Sequence, residues 1–240
     1  LFSMLPLGLR VIRKIEAIIR QEMDRVGGQE VLMPVVLPRE LWEESGRYST
    51  VGSELLRFKD RGGKDFVLGM THEEAAVHLA RNEISSYKQL PFTIYQLQTK
   101  FRDEPRSRGG LIRVREFTMK DAYSFHEDDE CLQKTYDALH EAYHRIFQRA
   151  GLKNFISVAS DAGMMGGGVS HEFMSITEVG EDSFLTCSAC GYKANREVAK
   201  TIYPTIGDQS AELNEVSTPE TTSIEDVSAL LNVEPQQTCK

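Results

Sequence analysis

From Leu9 to Val26 the apolar residues Val11, Ile12, Ile15, Ile18, Ile19 and Met23 return at helical spacing with Arg, Lys and Glu between them, which predicts an amphipathic helix. The helix is expected to stop at Gly27-Gly28, where glycine accepts left-handed backbone. Gln29 to Met33 then reads as a short buried strand ended by Pro34. Pro38 to Gly46 predicts a second, short helix, and Arg57 to Met70 two strands around an Asp60 to Lys64 turn bent at Gly62-Gly63. Thr71, ahead of Glu73 and Glu74, predicts a helix start capped by the Thr hydroxyl and running to Ile84.

Phe92 to Phe101 alternates as a strand, and a second strand is expected from Leu111 to Thr118. The Arg-, Pro- and Gly-rich stretch Arg102 to Gly110 between them reads as a long mobile loop. Asp128 to Ala150 predicts a long helix with Leu132, Tyr136, Leu139, Tyr143, Ile146 and Phe147 on one face and Gly151 as its stop. Phe155 to Ala159 and His171 to Val179 read as strands on either side of the run Gly163 to Gly168. Thr186 to Lys200 predicts a CxxC followed by a short basic helix, and Ser223 to Leu231 a small helix. The sum is α+β, an antiparallel sheet flanked by helices, without the strand-helix alternation of a doubly wound sheet. Composition shifts after Glu181, so domains are expected at 1–185 and 186–240.

A chain of 240 residues, 40% of them hydrophobic, can bury one sizeable core and the start of a second. Its net charge of -8 argues against a surface coated in positive charge for nonspecific nucleic-acid binding. A local basic patch remains: Lys100, Arg102, Arg106, Arg108, Arg113, Arg115 and Lys120 stand against Asp103, Glu104, Glu116 and Asp121. From Thr201 to Cys239 there is no Lys or Arg. No stretch approaches the roughly 20 apolar residues of a membrane span and no leader pattern opens the chain, so the cytoplasm and no membrane partner are expected. Cys131, Cys187, Cys190 and Cys239 are too sparse for a disulfide framework. Cys187 and Cys190 have zinc-knuckle spacing, but no second CxxC or paired His follows, so the reading is two free thiols or a degenerate knuckle and no bound metal. The Gly163 to Gly168 run lacks the Lys-Ser/Thr ending of a P-loop and reads as a tight turn.

The sharpest chemistry lies in Phe101-Arg102-Asp103-Glu104, the loop Pro105 to Arg113, and Arg115-Glu116-Phe117. Activation of a carboxylate by ATP needs a cation at the α-phosphate, where negative charge builds as pyrophosphate leaves. Arg102 can be that cation. On a strand, Arg102 and Glu104 face one side, so one can bridge phosphate and carboxylate while the other accepts from a base amino group. Phe117, on the returning strand, can offer a flat face to adenine. Each has a blander reading: a strand Arg beside a Glu is often a surface ion pair, Thr71 and Glu73 a helix cap, Phe117 core.

Together these residues resemble motif 2 of the class II aminoacyl-tRNA synthetases, and the first helix with Gly27 to Pro34 resembles their motif 1. The run from Thr118 to His126, Thr71-His72-Glu73, and Gly167 to Phe173 are similar to the bacterial prolyl enzymes within that family. The resemblance covers Leu1 to Val198. It implies a class II synthetase-type sheet, ATP-dependent activation of proline and transfer to tRNA(Pro), with ATP and Mg²⁺ required and a homodimer built on motif 1. It implies that Arg102 holds the α-phosphate and the amino-acid carboxylate, that Glu104 and Phe117 hold adenine, and that Thr71, Glu73, Arg102 and His126 form the proline pocket. A carboxylate at Glu73 fits, because a secondary ammonium in a closed pocket needs one beside it. It further implies that Arg106 and Arg108 touch the tRNA acceptor end. Motif 3 has no counterpart here. In the bacterial prolyl enzymes an inserted domain that removes mischarged alanine separates motifs 2 and 3, and Thr201 to Lys240 is similar to its beginning, so motif 3 is expected beyond Lys240 and the chain alone is expected to be incomplete. The other reading is a noncatalytic class II paralogue that binds tRNA or an amino acid.

Overall fold

The first helix, α1, spans Pro6–Arg25. It starts before the apolar periodicity does because Pro6 occupies the first turn, where its missing N–H interrupts no helical bond and its φ is already helical. Gly27, at φ +82°, ends it, its N–H donating to the Asp24 carbonyl at 3.0 Å. The structure, a computed structural model, describes residues 2–163, 168–200, 214–219 and 223–238. The chain divides into two units, 1–158 with 172–182, and 159–171 with 183–240.

In the first unit, β1 (Gly28–Glu30) runs parallel to β5 (Phe92–Phe101), and β5 is antiparallel to β6 (Glu116–Phe125) in a ladder that pairs Phe92 with Phe125 and Phe101 with Glu116. β1 is shorter than its apolar run predicts. After the Val31 N–H donates to the Tyr95 carbonyl, side chains of β5 take over the bonding: Met33 N–H donates to Gln96 Oε1 at 3.0 Å and Gln98 Nε2 to the Met33 carbonyl at 2.8 Å. A strand was expected at Leu111, but β6 begins at Glu116. Gly109 and Gly110, at φ +66° and +64°, and an Arg108–Arg113 bridge close a separate turn that leaves Leu111 and Ile112 exposed at its tip.

A smaller antiparallel sheet has the order β2 (Val36–Pro38), β4 (Asp65–Leu68), β3 (Arg57–Lys59). With α2 (Arg39–Glu44), α3 (Arg47–Thr50) and α4 (Glu73–Glu83), it encloses the main core, in which Trp42, Val67 and Ala76 are wholly buried beside Met33, Leu37 and Ile94. The expected Thr71 cap is absent. His72 is the N-cap of α4, with no side-chain cap bond, and the Thr71 hydroxyl is taken by Arg47 instead.

The longest helix, α5 (Asp129–Arg149), is capped by Asp128, whose carboxylate accepts the Cys131 N–H at 2.8 Å. It packs on α1 through Glu22. That carboxylate is 3% exposed and accepts from Arg145 Nε at 2.6 Å and Arg149 Nη1 at 2.7 Å. The Arg145 hydrogen bond, then Arg149, holds the Glu22 carboxyl below its ordinary range against the opposing effect of burial. A depressed folded value means that this stabilisation is complete above the unfolded carboxylate range and is lost as pH falls through the folded value. Glu22→Gln is therefore expected to lower stability by about 2 kcal/mol at neutral pH. The difference from the parent in urea midpoint should close in acid; a gap that persists there would contradict the assignment. Beyond α5, β7 (Phe155–Ala159) and β8 (His171–Ser175) follow, and Phe173 sits among the rings of His140, Tyr143, His144, Phe147 and Phe155. β8 stops before the expected Val179, at a turn in which the Gly180 N–H donates to the Thr177 carbonyl.

In the second unit β9 (Phe184–Thr186) and β10 (Lys193–Asn195) form an antiparallel hairpin, and Ala194 pairs in parallel with Ala159. The basic helix expected after the CxxC is this strand: Ala194 and Asn195 are buried in it, so packing overrides the weak helical preference of a short segment. The helix α6 (Ile224–Leu231) is capped reciprocally by Ser223 and Asp226. Residues 164–167 of the glycine run, 201–213, 220–222 and 239–240 lie outside the described residues, so the tight turn and part of the expected insertion are not described.

Candidate functional site

Strand alternation puts Gln96, Gln98 and Lys100 of β5 on one face, opposite Phe117, Met119, Asp121 and Tyr123 of β6. The other face turns to the helices, where the Tyr95 hydroxyl donates to Asp24 at 2.7 Å and Lys120 meets Tyr143. The first face is unusually polar for a sheet interior. Lys100 is wholly buried, its Nζ 2.9 Å from Asp121 Oδ1 and 2.6 Å from His72 Nδ1. Asp121 Oδ2 accepts from Gln96 Nε2 at 3.0 Å and from the Tyr123 hydroxyl at 2.5 Å, and that hydroxyl accepts the His72 backbone N–H at 3.0 Å. His72 Nε2 lies 2.9 Å from the Pro34 carbonyl, which can only accept, so the ring proton is on Nε2 and Nδ1 accepts from the Lys100 ammonium.

Burial first, and then the charge of Lys100, holds the His72 imidazole below its usual range. Burial likewise lowers Lys100, while Asp121 raises it. The lowered His72 value agrees with a neutral imidazole, and Asp121 is the first influence that opposes the burial of the Lys100 ammonium. Gly69 is part of this packing: a Cβ there would lie 2.8 Å from His72 Cε1.

At the open end of the ladder β5 ends and Arg102 follows, its backbone N–H donating to the Arg115 carbonyl at 2.9 Å. Its guanidinium carbon stands 5.5 Å from the centroid of the Phe117 ring, and its buried Nε has no hydrogen-bond partner among the described residues. The structure therefore brings Arg102 and Phe117 together, with bonding capacity left on the cation. Glu104 does not follow the strand alternation that the sequence suggests. The chain has left the ladder, and the Glu104 N–H donates to the Arg102 carbonyl at 2.8 Å in a three-residue turn, which sets the Glu104 direction independently of any pleat. Arg115, to which the sequence reading gave no role of its own, steadies this turn, its Nε donating to the Glu104 carbonyl at 3.0 Å and lying 3.3 Å from Asp103 Oδ1.

Arg106 and Arg108 are exposed on the loop, and Arg108 reaches Glu181 at 2.6 Å. Thr71 and Glu73 are joined by a residue that sequence reading missed. Arg47 Nη2 donates to Thr71 Oγ1 at 3.3 Å, and its Nη1 to Glu73 Oε2 at 3.2 Å and Glu74 Oε1 at 2.9 Å, with the guanidinium carbon 4.8 Å from the Trp42 ring centroid. Nothing in the local sequence marks Arg47, because its partners lie more than 20 residues downstream. His126 is not brought to Phe117. It follows Phe125 at the opposite end of β6, roughly 30 Å along the strand, and its Nδ1 lies 3.2 Å from Cys131 Sγ.

Among the described residues no group of three or more His, Cys, Asp or Glu side chains converges as a metal centre, and no helix is long and apolar enough to cross a membrane. What the face does offer is a cation with a free donor, an aromatic plane beside it, and a carboxylate and hydroxyl held by one guanidinium.

Residues 56–221 match the family described as the tRNA synthetase class II core domain (G, H, P, S and T). The chain is 55% identical to a proline–tRNA ligase of Salinispora tropica and 52% to one of Bacillus cytotoxicus, in each case over 100% of this chain and 40% and 43% of the relative. The chain thus spans about two fifths of the length of these curated relatives. A Giardia lamblia prolyl-tRNA synthetase solved in complex with prolyl-adenylate superposes with a TM-score of 0.60 at 24% identity, over 65% of this chain and 32% of that one.

Proposed function

Since the chain belongs to the class II tRNA synthetase core family, we propose that the polypeptide carrying it activates proline with ATP and transfers it to tRNA(Pro). The observation that carries the reading is the Arg102 guanidinium beside the Phe117 ring with its Nε unpartnered. A cation that already stacks on an aromatic plane and keeps a buried donor free is suited to an anionic, planar-based ligand, as a nucleotide is. The curated relatives, proline–tRNA ligases at 55% and 52% identity, support proline as the amino acid.

In this reading adenine stacks on Phe117, with Glu104 at its amino group. Arg102 bridges the α-phosphate and the proline carboxylate and stabilises the charge that grows on phosphorus as the carboxylate attacks and pyrophosphate departs. Mg²⁺ enters as the counter-ion of the triphosphate. Thr71 and Glu73 receive the proline ammonium, and Arg47, already bonded to both, sets their positions. Arg106 and Arg108 meet the acceptor end of the tRNA, and His126 is the outlying member of the set, placed by resemblance alone. Two copies assemble through α1 and β1, and the protein works in the cytoplasm. Pyrophosphate exchange by the longest natural polypeptide containing this chain tests the reading: exchange should require proline. Exchange supported by threonine or serine and not by proline would move the assignment to another member of the family.

A further inference from the structure

The cysteine pair of the second unit lies outside all of this chemistry, and the hairpin around it is built closely. Cys187 follows β9 directly. Its N–H donates to the Tyr192 carbonyl at 2.9 Å, and its own carbonyl accepts the Gly191 N–H at 2.9 Å. Gly191 is at φ +74°, so the turn that carries the two thiols needs glycine just after Cys190 to close. Inside that turn the Cys190 and Ala189 backbone amides and the Cys190 thiol are the groups that act on the Cys187 thiol. Those amides, Cys190 first, hold the Cys187 thiol below its ordinary range. Cys187 is half-buried, Cys190 is exposed, and both are free thiols. A closed structural zinc site takes four ligands, and no third His, Cys, Asp or Glu joins the pair among the described residues.

We propose that Cys187 and Cys190 form a reversible dithiol–disulfide site that reacts with peroxides. The Cys187 thiolate attacks one peroxide oxygen, the O–O bond breaks, and the leaving oxygen departs as water or an alcohol once protonated. The resulting sulfenic acid meets the Cys190 thiol, three residues along the same turn. The S–S bond forms, the sulfenic oxygen leaves as water, and the Cys190 proton accompanies it. Two thiols are oxidised by two electrons and one peroxide is reduced. The amides favour the first step by raising the fraction of Cys187 present as thiolate, and the short turn makes the second step intramolecular. Cys131 is the internal reference: a half-buried thiol beside His126, with no second cysteine near it among the described residues.

The test is a hydrogen peroxide titration of the whole chain, quenched with N-ethylmaleimide and read by peptide mass. The Cys187–Cys190 peptide should lose two hydrogens and refuse the alkylating agent, on the order of tenfold faster than Cys131 is oxidised, and dithiothreitol should restore both thiols. In Cys190→Ser, Cys187 should stop at a sulfenic acid that dimedone traps. The proposal is overturned if both cysteines remain alkylated at doses that oxidise Cys131, or if the purified protein holds stoichiometric zinc that protects the pair.

Discussion

Arg102→Ala is expected to lower proline-dependent pyrophosphate exchange by roughly 100- to 1,000-fold, about 3–4 kcal/mol of transition-state stabilisation. The magnitude follows from where the charge develops. A guanidinium at the α-phosphate acts more strongly on the pentacovalent transition state than on bound ATP, so the loss should fall mainly on kcat. Because the same group is read as bridging the proline carboxylate, KM for proline should rise as well. Stability should hardly change, since the Arg102 Nε has no partner to lose and the Phe117 contact is a single ring face. Arg102→Lys keeps the charge and loses the planar fork, and should recover only part of the activity. Circular dichroism and a urea midpoint separate the chemical effect from unfolding. Full exchange activity in a folded Arg102→Ala protein would remove the group on which the proposed mechanism depends.

The elements of this fold that were legible in the sequence are those with a long local period or a strong punctuating residue. α1 and α5 carry sustained apolar faces, β5 alternates over ten residues, and Gly27 and Asp128 end or begin helices by their own chemistry. What could not be read locally is set by partners distant in sequence. β1 stops early because Gln96 and Gln98, more than 60 residues on, take over the bonds of Met33. The Thr71 hydroxyl points to Arg47 rather than to the helix it precedes. The same division runs through the site. Arg102 and Phe117 lie together as expected, because they sit at the same end of two neighbouring strands, although the second strand begins at Glu116 and not at Leu111. Glu104 was placed by strand alternation although it lies three residues beyond the end of the strand at Phe101. The buried Lys100, His72 and Asp121 left no sequence signal, because a charged residue on a strand reads as exposed until its partner is known.

That buried network has the largest expected effect on stability. Asp121→Ala removes the only carboxylate within ion-pair distance of the Lys100 ammonium among the described residues, and also strips Gln96 and Tyr123 of an acceptor. Leaving a wholly buried charge unpaired is expected to cost about 3–5 kcal/mol, measured as a fall in ΔG from urea unfolding at unchanged m-value. Replacing both members, as in Lys100→Met with Asp121→Leu, should be far milder than either removal alone, because no charge then needs a partner. The pH dependence has a definite sign. Burial lowers Lys100, and Asp121 is the first influence opposing it, so its loss lowers the folded value further. The unfolded chain then binds more protons between the folded and the unfolded lysine values, and stability rises with pH across that window. Asp121→Ala should therefore regain stability on going from neutral to alkaline conditions, relative to the parent. Lys100 pairs with Phe117 across the ladder and stands two residues before Arg102, so the network also seats the end of the sheet where the nucleotide is proposed to bind. A loosened Asp121 variant should raise KM for ATP before it lowers kcat. An Asp121→Ala protein as stable as its parent, with no gain at alkaline pH, would mean that water reaches Lys100 and that the packing under the site is not what fixes Arg102 and Phe117 together.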